Sequence, residues 1–346
     1  MSVQIILGEG DQQVVLSSVA GWGSLTVTDK WDTGGSGPYE ATWEMTLPPM
    51  RRPKGLDTNV PCVVMVGGCP RFAGRVPDLD WSAGEFSAIG AVRESEEAIA
   101  LTAAGLTTAT PDAAIDAAIA RGALTWKRRA SLSASTIAAD GDETDDQFFI
   151  QALLDAWADS VGKRWAVNAR REVYAAADPT TPSWFVLPGA GEFGTDTDLM
   201  VGKLYARYKK NTTGDLGTVT AGAGLPEVAI DLTGRGTLTQ AQAQQVLNGI
   251  YTKASKQKNF TNSLELNATQ ILTPGGLPAR PYRVRAGQMM RFLALRDERN
   301  GKPYTDIVLG ETEWDAEADT VTVTPIDMSN RDLESFVEEA GGSIVS

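Results

Sequence analysis

Between Tyr39 and Leu47 the chain alternates without a break. Tyr39, Ala41, Trp43, Met45 and Leu47 are apolar, and Glu40, Thr42, Glu44 and Thr46 between them are polar. Successive side chains of a β-strand point to opposite faces, so a period of two places the apolar set on one face and the polar set on the other. The stretch predicts a strand in a half-buried sheet. GSLTVTDKW, PCVVMV, RFAGRV and EFSAIGAV read the same way, broken by Gly-rich turns such as DTGGSGP. Strands meandering at this spacing predict a small barrel or sandwich over residues 1–100.

The pattern then changes. Thr110 and Pro111 open a helix with Ile115, Ala118 and Ile119 on one face and Gly122 as its stop. Thr144 and Gln147 form a capping box ahead of a stripe of Ile150, Leu153, Leu154, Trp157 and Val161, closed by Gly162. KRWAVNARREVYAAA and PSWFVLP follow as strands, giving an α+β module over 101–200. A further capping box, Thr239 with Gln242, starts a helix with Ala243, Val246, Leu247, Ile250 and Ala254 inward. NSLELNA, PYRVRAG, MMRFLAL, YTDIVLGETEW and DTVTVTPI then read as strands of a second helix-plus-β domain over 201–326. Ser329 and Asp332 cap a last helix in the tail 327–346, with Leu333, Phe336, Val337 and Ala340 aligned. The fold class is α+β, mainly β: two barrel-like β-rich domains flank the α+β middle.

Composition excludes several functions. The chain contains no histidine, which removes Ser-His-Asp and Cys-His catalysis and the usual zinc sites. Cys62 and Cys69 are too few for a thiolate cage. They flank Gly67-Gly68; a two-residue hairpin there sets Val66 against Cys69 and Cys62 against Ala73, so both are expected as free thiols. A net charge of −13 opposes general nucleic-acid binding, which rests on Lys and Arg, but suits a surface that nucleic acid passes without sticking. No basic n-region and no membrane-length apolar run is present, so synthesis in the cytoplasm is expected.

The motif matches are weaker than their structural readings. GAGEFG at 189–194, with Asp215 downstream, copies a dinucleotide fingerprint, yet Pro188 precedes it, Glu192 would meet the pyrophosphate and no helix follows. Asp32-Thr33-Gly34 is one copy of a triplet whose acid chemistry needs two. DGDETDD at 140–146 lacks EF-hand spacing and reads as acids before a helix. The tryptophans, from Trp22 to Trp314, read as core, with Trp81 and Trp184 beside turns the candidates for a sugar-stacking role. No catalytic, cofactor or metal residues are expected.

LPARPYRVRAGQMMRF, residues 277–292, gathers four arginines and no acid. As a strand it puts Tyr282 and Val284 on one face and Arg283 and Arg285 together on the other. That basic face is a candidate protein interface, since the guanidinium fork pairs with carboxylates. The stripe of Leu333, Phe336 and Val337 is a second candidate, because a short terminal helix must dock on something; a neighbouring subunit is the occupant expected.

The order of helix A-x-x-V-L-x-x-I, SLELN, RPYRVRAGQMMRF, then YTDIVLGETEWD and TVTVTPI, resembles the hub proteins at the distal end of phage tails. WDTGGSGPYEATWEMTLPP, AIDAAIARGALTW and RVRAGQMMRFLALRDERNGKPYTDIVLG look like minor tail proteins of siphophages infecting actinobacteria. The resemblance implies a non-enzymatic virion protein with no cofactor. It implies a homotrimeric baseplate hub at the distal tail end, forming a ring that joins the tail tube and distal tail protein to a threefold tip. Its partners would be copies of itself, the distal tail protein, the tape measure protein, other tip or fibre proteins, and phage DNA in passage during genome ejection. The alternatives are a hexameric distal tail adaptor, a carbohydrate-binding tail module and, last, a cell-wall hydrolase built on acid pairs such as Glu143 and Asp146.

Overall fold

A computed structural model describes residues 2–18, 21–31, 34–53, 56, 58–137, 149–190, 201–256, 263–297, 302–326, 337 and 342–344, with backbone alone at 159, 252–256, 294, 296 and 297. In chain order the strands and helices are β1 (Val3–Leu7), β2 (Val14–Val15), β3 (Gly23–Lys30), β4 (Gly37–Glu44), β5 (Thr58–Val66), β6 (Cys69–Asp78) and β7 (Glu85–Gly90). Then come α1 (Pro111–Ala120), β8 (Lys127–Arg128), α2 (Ile150–Val161), β9 (Arg164–Val167), β10 (Glu172–Ala176) and β11 (Trp184–Val186). The remainder is β12 (Lys203–Lys210), β13 (Leu216–Gly222), β14 (Glu227–Asp231), β15 (Thr237–Leu238), α3 (Gln240–Lys256), β16 (Leu264–Asn267), β17 (Ile271–Leu272), β18 (Met289–Asp297), β19 (Lys302–Asp315), β20 (Thr320–Pro325) and β21 (Ser343–Ile344). The protein is α+β and mainly β.

Backbone contacts group the chain into two compact units, residues 1–190 with 263–326, and residues 191–262 with 327–346. This differs from the four spans expected from sequence, 1–100, 101–200, 201–326 and 327–346. The physical reason is a pairing between distant strands. β19 runs antiparallel to β3, setting Thr312 opposite Asp29 and Trp314 opposite Val27. The strands of residues 1–100 and those of residues 263–326 are therefore one sheet, while β12–β15 lie outside it.

In the first unit that sheet has the order β17-β11-β18-β19-β3-β4-β7-β6-β5-β1-β2, with β20 joining β19 to β16. It curls into a half-barrel. Four of the five residues the alternation marked, Ala41, Trp43, Met45 and Leu47, join Ile5, Val27, Val64, Phe72 and Trp314 in one core, whereas Tyr39 is half-buried against a different one. Each large side chain so buried contributes about 1.5–3 kcal/mol. A second core gathers Ile115 of α1, Ile150, Leu154 and Trp157 of α2, and Trp126 and Trp165. Val161, expected in that stripe, is 45% exposed, because α2 ends there and Gly162 turns the chain with φ +62°. The capping box at Thr144 and Gln147 lies outside the described residues.

In the second unit α3 covers a sheet of order β13-β12-β14-β21, with β15 on β12. The Thr239 box forms: Gln242 N donates to Thr239 Oγ1 at 3.2 Å and Thr239 N donates to Gln242 Oε1 at 2.9 Å. Ala243, Leu247 and Ile250 pack on Leu204, Ala206 and Tyr208 of β12.

Candidate interaction surfaces

The arginine-rich segment is not a strand before Met289. Pro281–Arg283 form a 3-10 turn, with Arg283 N bonded to Arg280 O and Val284 N to Pro281 O, both at 3.0 Å. Proline pre-sets the φ that such a turn needs at its first position. Tyr282 packs edge-on against Trp314 with ring centroids 6.1 Å apart, and Val284 is fully buried. Because the segment turns, Arg283 and Arg285 do not share a face. Arg283 is exposed, whereas Arg285 folds inward: its Nη1 donates to the Arg71 carbonyl at 2.7 Å and lies 3.4 Å from Asp29 Oδ1.

Arg285 thus belongs to a buried charge cluster in the first unit. Val64 pairs with Phe72 and Met65 with Pro70, so Arg71 is a bulged residue with no partner across the ladder. A bulge re-aims a side chain, and here Arg71 enters the core at 1% exposure. Its Nη1 donates to Asp29 Oδ2 at 2.5 Å, and Thr312 Oγ1 donates to the same oxygen at 3.3 Å. Burial pushes the Asp29 carboxyl above its ordinary range, opposed by the charge and hydrogen bond of Arg71. Arg71 Nε and Nη2 have no partner among the described residues. The same bulge shifts the register by one, so Cys62 faces Gly74 and not Ala73, while Val66 faces Cys69 as expected. Both cysteines are free, Cys62 buried and Cys69 exposed.

The following residues are held as firmly. Gly287 has φ +80°, and a Cβ there would sit 2.6 Å from the Trp31 ring. Gln288 Oε1 accepts from Arg285 N at 2.8 Å and from Trp184 Nε1 at 2.6 Å. Trp184 is core and offers no free stacking face, and Trp81 is half-buried, packed edge-on against Phe86 at 5.2 Å.

The outward face of β16, β20, β19, β3, β4 and β7 is acidic and hydroxyl-rich, a feature the sequence analysis missed. Register places Glu311, Glu313 and Asp315 of β19 opposite Lys30, Thr28 and Thr26 on one side and Thr324, Thr322 and Thr320 on the other. Glu40, Thr42 and Glu44 continue it on β4, and Ser87 and Glu85 on β7. Glu265 extends it on β16. Glu44 and Glu85 are directly opposed, an arrangement that costs stability. Glu313 is held above the ordinary carboxylate value by partial burial and by Glu311, Asp315 and Glu40. Alternation of acids and threonines along paired strands was the available signal; the pairing partners were not in the local sequence.

Of the terminal stripe, Leu333 and Phe336 lie outside the described residues. Val337 is fully buried in the core of the second unit with Leu204, Tyr208 and Leu232. Gly342 N bonds to its carbonyl at 2.8 Å, and β21 then pairs with β14. At Val337 the tail is seated on its own chain, not on a neighbour as expected: the apolar site nearest in the chain is the sheet under α3.

Among the described residues no group of three or more His, Cys, Asp or Glu side chains could hold a metal ion, and no helix is long and apolar enough to cross a membrane. Asp32, Thr33, the 140–146 acid run with Glu143 and Asp146, and residues 191–194 of the Gly-rich motif lie outside the described residues.

No family model matches the chain, and no curated protein matches it. Solved structures do. The 43 kDa tail protein of prophage MuSo2 from Shewanella oneidensis superposes with a TM-score of 0.55 at 12% identity, over 94% of this chain and 99% of that one. A tail protein from Neisseria meningitidis MC58 gives 0.53 at 11% identity over 95% and 98%. Prophage tail protein gp18 from Listeria monocytogenes EGD-e gives 0.50 at 12% identity over 95% of each. At such identities the likeness is one of fold: this chain has a fold found in phage and prophage tail proteins.

Proposed function

We propose that this chain is a structural, non-enzymatic subunit of a phage tail, acting as a baseplate hub at the distal tip. In this reading three copies close a ring that joins the tail tube and distal tail protein to a threefold tip. The observation that carries the reading is the likeness to tail proteins over nearly the whole of both chains. A domain shared with a larger enzyme would match in part; here the match covers 94–95% of this chain and 98–99% of the others.

The acidic face supports passage of DNA. A surface of carboxylates and hydroxyls repels phosphodiesters. Labelling the protein and imaging intact particles tests the reading. Three copies at the distal tip are expected; six would favour the hexameric distal adaptor, and a site elsewhere in the virion would overturn the hub.

A further inference from the structure

A cavity of about 650 Å³ opens in the first unit between the outward face of β5 and β6 and the segments around β8 and β10. Its floor is apolar: Pro61 and Val63 of β5 and Ala73 of β6. Its rim carries three cations, Lys127, Arg170 and Arg171, against one acid, Glu9, in a chain of net charge −13.

The three cations are not equivalent. Arg171 is committed: it adopts φ +62°, donates to Glu9 Oε1 at 3.1 Å and to Gly74 O at 3.1 Å, and so ties the rim to β6. Lys127 and Arg170 are exposed, and among the described residues neither is held by an ion pair. Arg170 has its backbone N–H bonded to Asn168 Oδ1 at 2.8 Å, which holds the backbone there without using the guanidinium. An apolar floor under two uncommitted cations fits a peptide that brings carboxylates to the rim and buries an apolar edge.

We propose that this cavity is a socket for an acidic segment of a second copy of this chain, an inference that rests on the ring-subunit reading above. Charge complementarity selects the occupant. The densest acidic run in the sequence is DGDETDD at 140–146, which has five acids in seven residues and no cation. Contact between different patches of adjacent copies is heterologous, the kind that closes a ring when the rotation per copy allows. Complementary charge fixes such a register and suppresses wrong partners.

Zero-length carbodiimide cross-linking of intact particles tests this, because it joins an amine to a carboxylate only in direct contact. The expected product has the mass of two chains, with Lys127 joined to a residue of 140–146. The double variant Lys127→Gln/Arg170→Gln, which changes only exposed side chains, should lower the yield of infectious particles by at least about tenfold, about 1.4 kcal/mol. Lys127→Glu/Arg170→Glu should block assembly, and adding Asp142→Lys/Asp145→Lys should restore it. A Lys127 link within one chain, a link to another tail protein, or no link in particles that contain the protein would overturn the socket alone. Absence of the protein from the tail would overturn the ring reading and the socket with it.

Discussion

Arg71 Nη1 lies 2.5 Å from Asp29 Oδ2, although β4 and β7 separate the strands that carry them. Across a flat sheet three strand spacings would hold those backbones about 14 Å apart. The contact therefore exists because the sheet curls, and it also ties the curl in place. Removing Asp29 leaves Arg71 charged and buried, and removing Arg71 leaves Asp29 buried with the longer 3.4 Å contact to Arg285; breaking a buried pair costs about 3–5 kcal/mol. Arg71→Met and Asp29→Asn are each expected to lower the urea midpoint by that equivalent. The pair Arg71→Met/Asp29→Val should recover most of the loss. Additive losses in the double variant would show that the two charges act independently.

Arg283 and Arg285 are two residues apart and should behave differently. Arg285→Ala removes a donor from the Arg71 carbonyl and a cation from Asp29, and should destabilise by about 1–3 kcal/mol. Arg283→Ala changes an exposed side chain and should stay within about 0.5 kcal/mol. Equal losses in chemical denaturation would mean that the segment is a strand with both arginines on one side.

How far the fold was legible depends on whether the signal was local. The Thr239–Gln242 box and the Gly67-Gly68 turn are decided within a few residues and formed as read; the Tyr39–Leu47 alternation gave a strand that ends at Glu44, with Met45 and Leu47 still buried beyond it. Pro281–Val284 misled because Tyr-Arg-Val-Arg alternates in a turn as well as in a strand. The bulge at Arg71 was hidden because one extra residue leaves no mark on composition, yet it decides where a charge enters the core. The pairing of β3 with β19, and with it the acidic face, joins residues nearly the whole chain apart. No window along the sequence contains both partners.

The cysteines give a direct check on the β5–β6 hairpin. Burial pushes the Cys62 thiol up to about 12, and it lies on the inward side of β5. Cys69 is exposed at the turn. Native alkylation without reductant should add one label, at Cys69; alkylation after unfolding should add two. Labelling of Cys62 in the folded protein would place β5 in the wrong register.

Glu313 supplies a pH dependence. Its folded value lies above 4.5, the ordinary one, so folding penalises the ionised form. The penalty is absent below the unfolded value and fully present above the folded one; stability falls as pH rises between them. Glu313→Gln removes the penalty. Its Tm should exceed that of the parent near neutral pH, and the difference should vanish as pH falls below the ordinary carboxylate range. A constant difference at all pH values would mean that the crowding by Glu311, Asp315 and Glu40 has no energetic effect.

The acidic face makes the most specific statement about passage of DNA. If it faces the channel, positive charge placed there should attract phosphates and slow transit. The double variant Glu44→Lys/Glu313→Lys changes exposed side chains and turns the Glu44–Glu85 repulsion into an opposite-charge pair, so folding should survive. Particles are expected to assemble in normal number and to release DNA more slowly on triggering. Raising the salt concentration should bring the rate back, because exposed charges are screened within about 10 Å at 0.1 M ionic strength. A failure to assemble would make the face a subunit contact. Normal release at low salt would place it on the outside of the tail, and the carboxylates would then serve solubility alone.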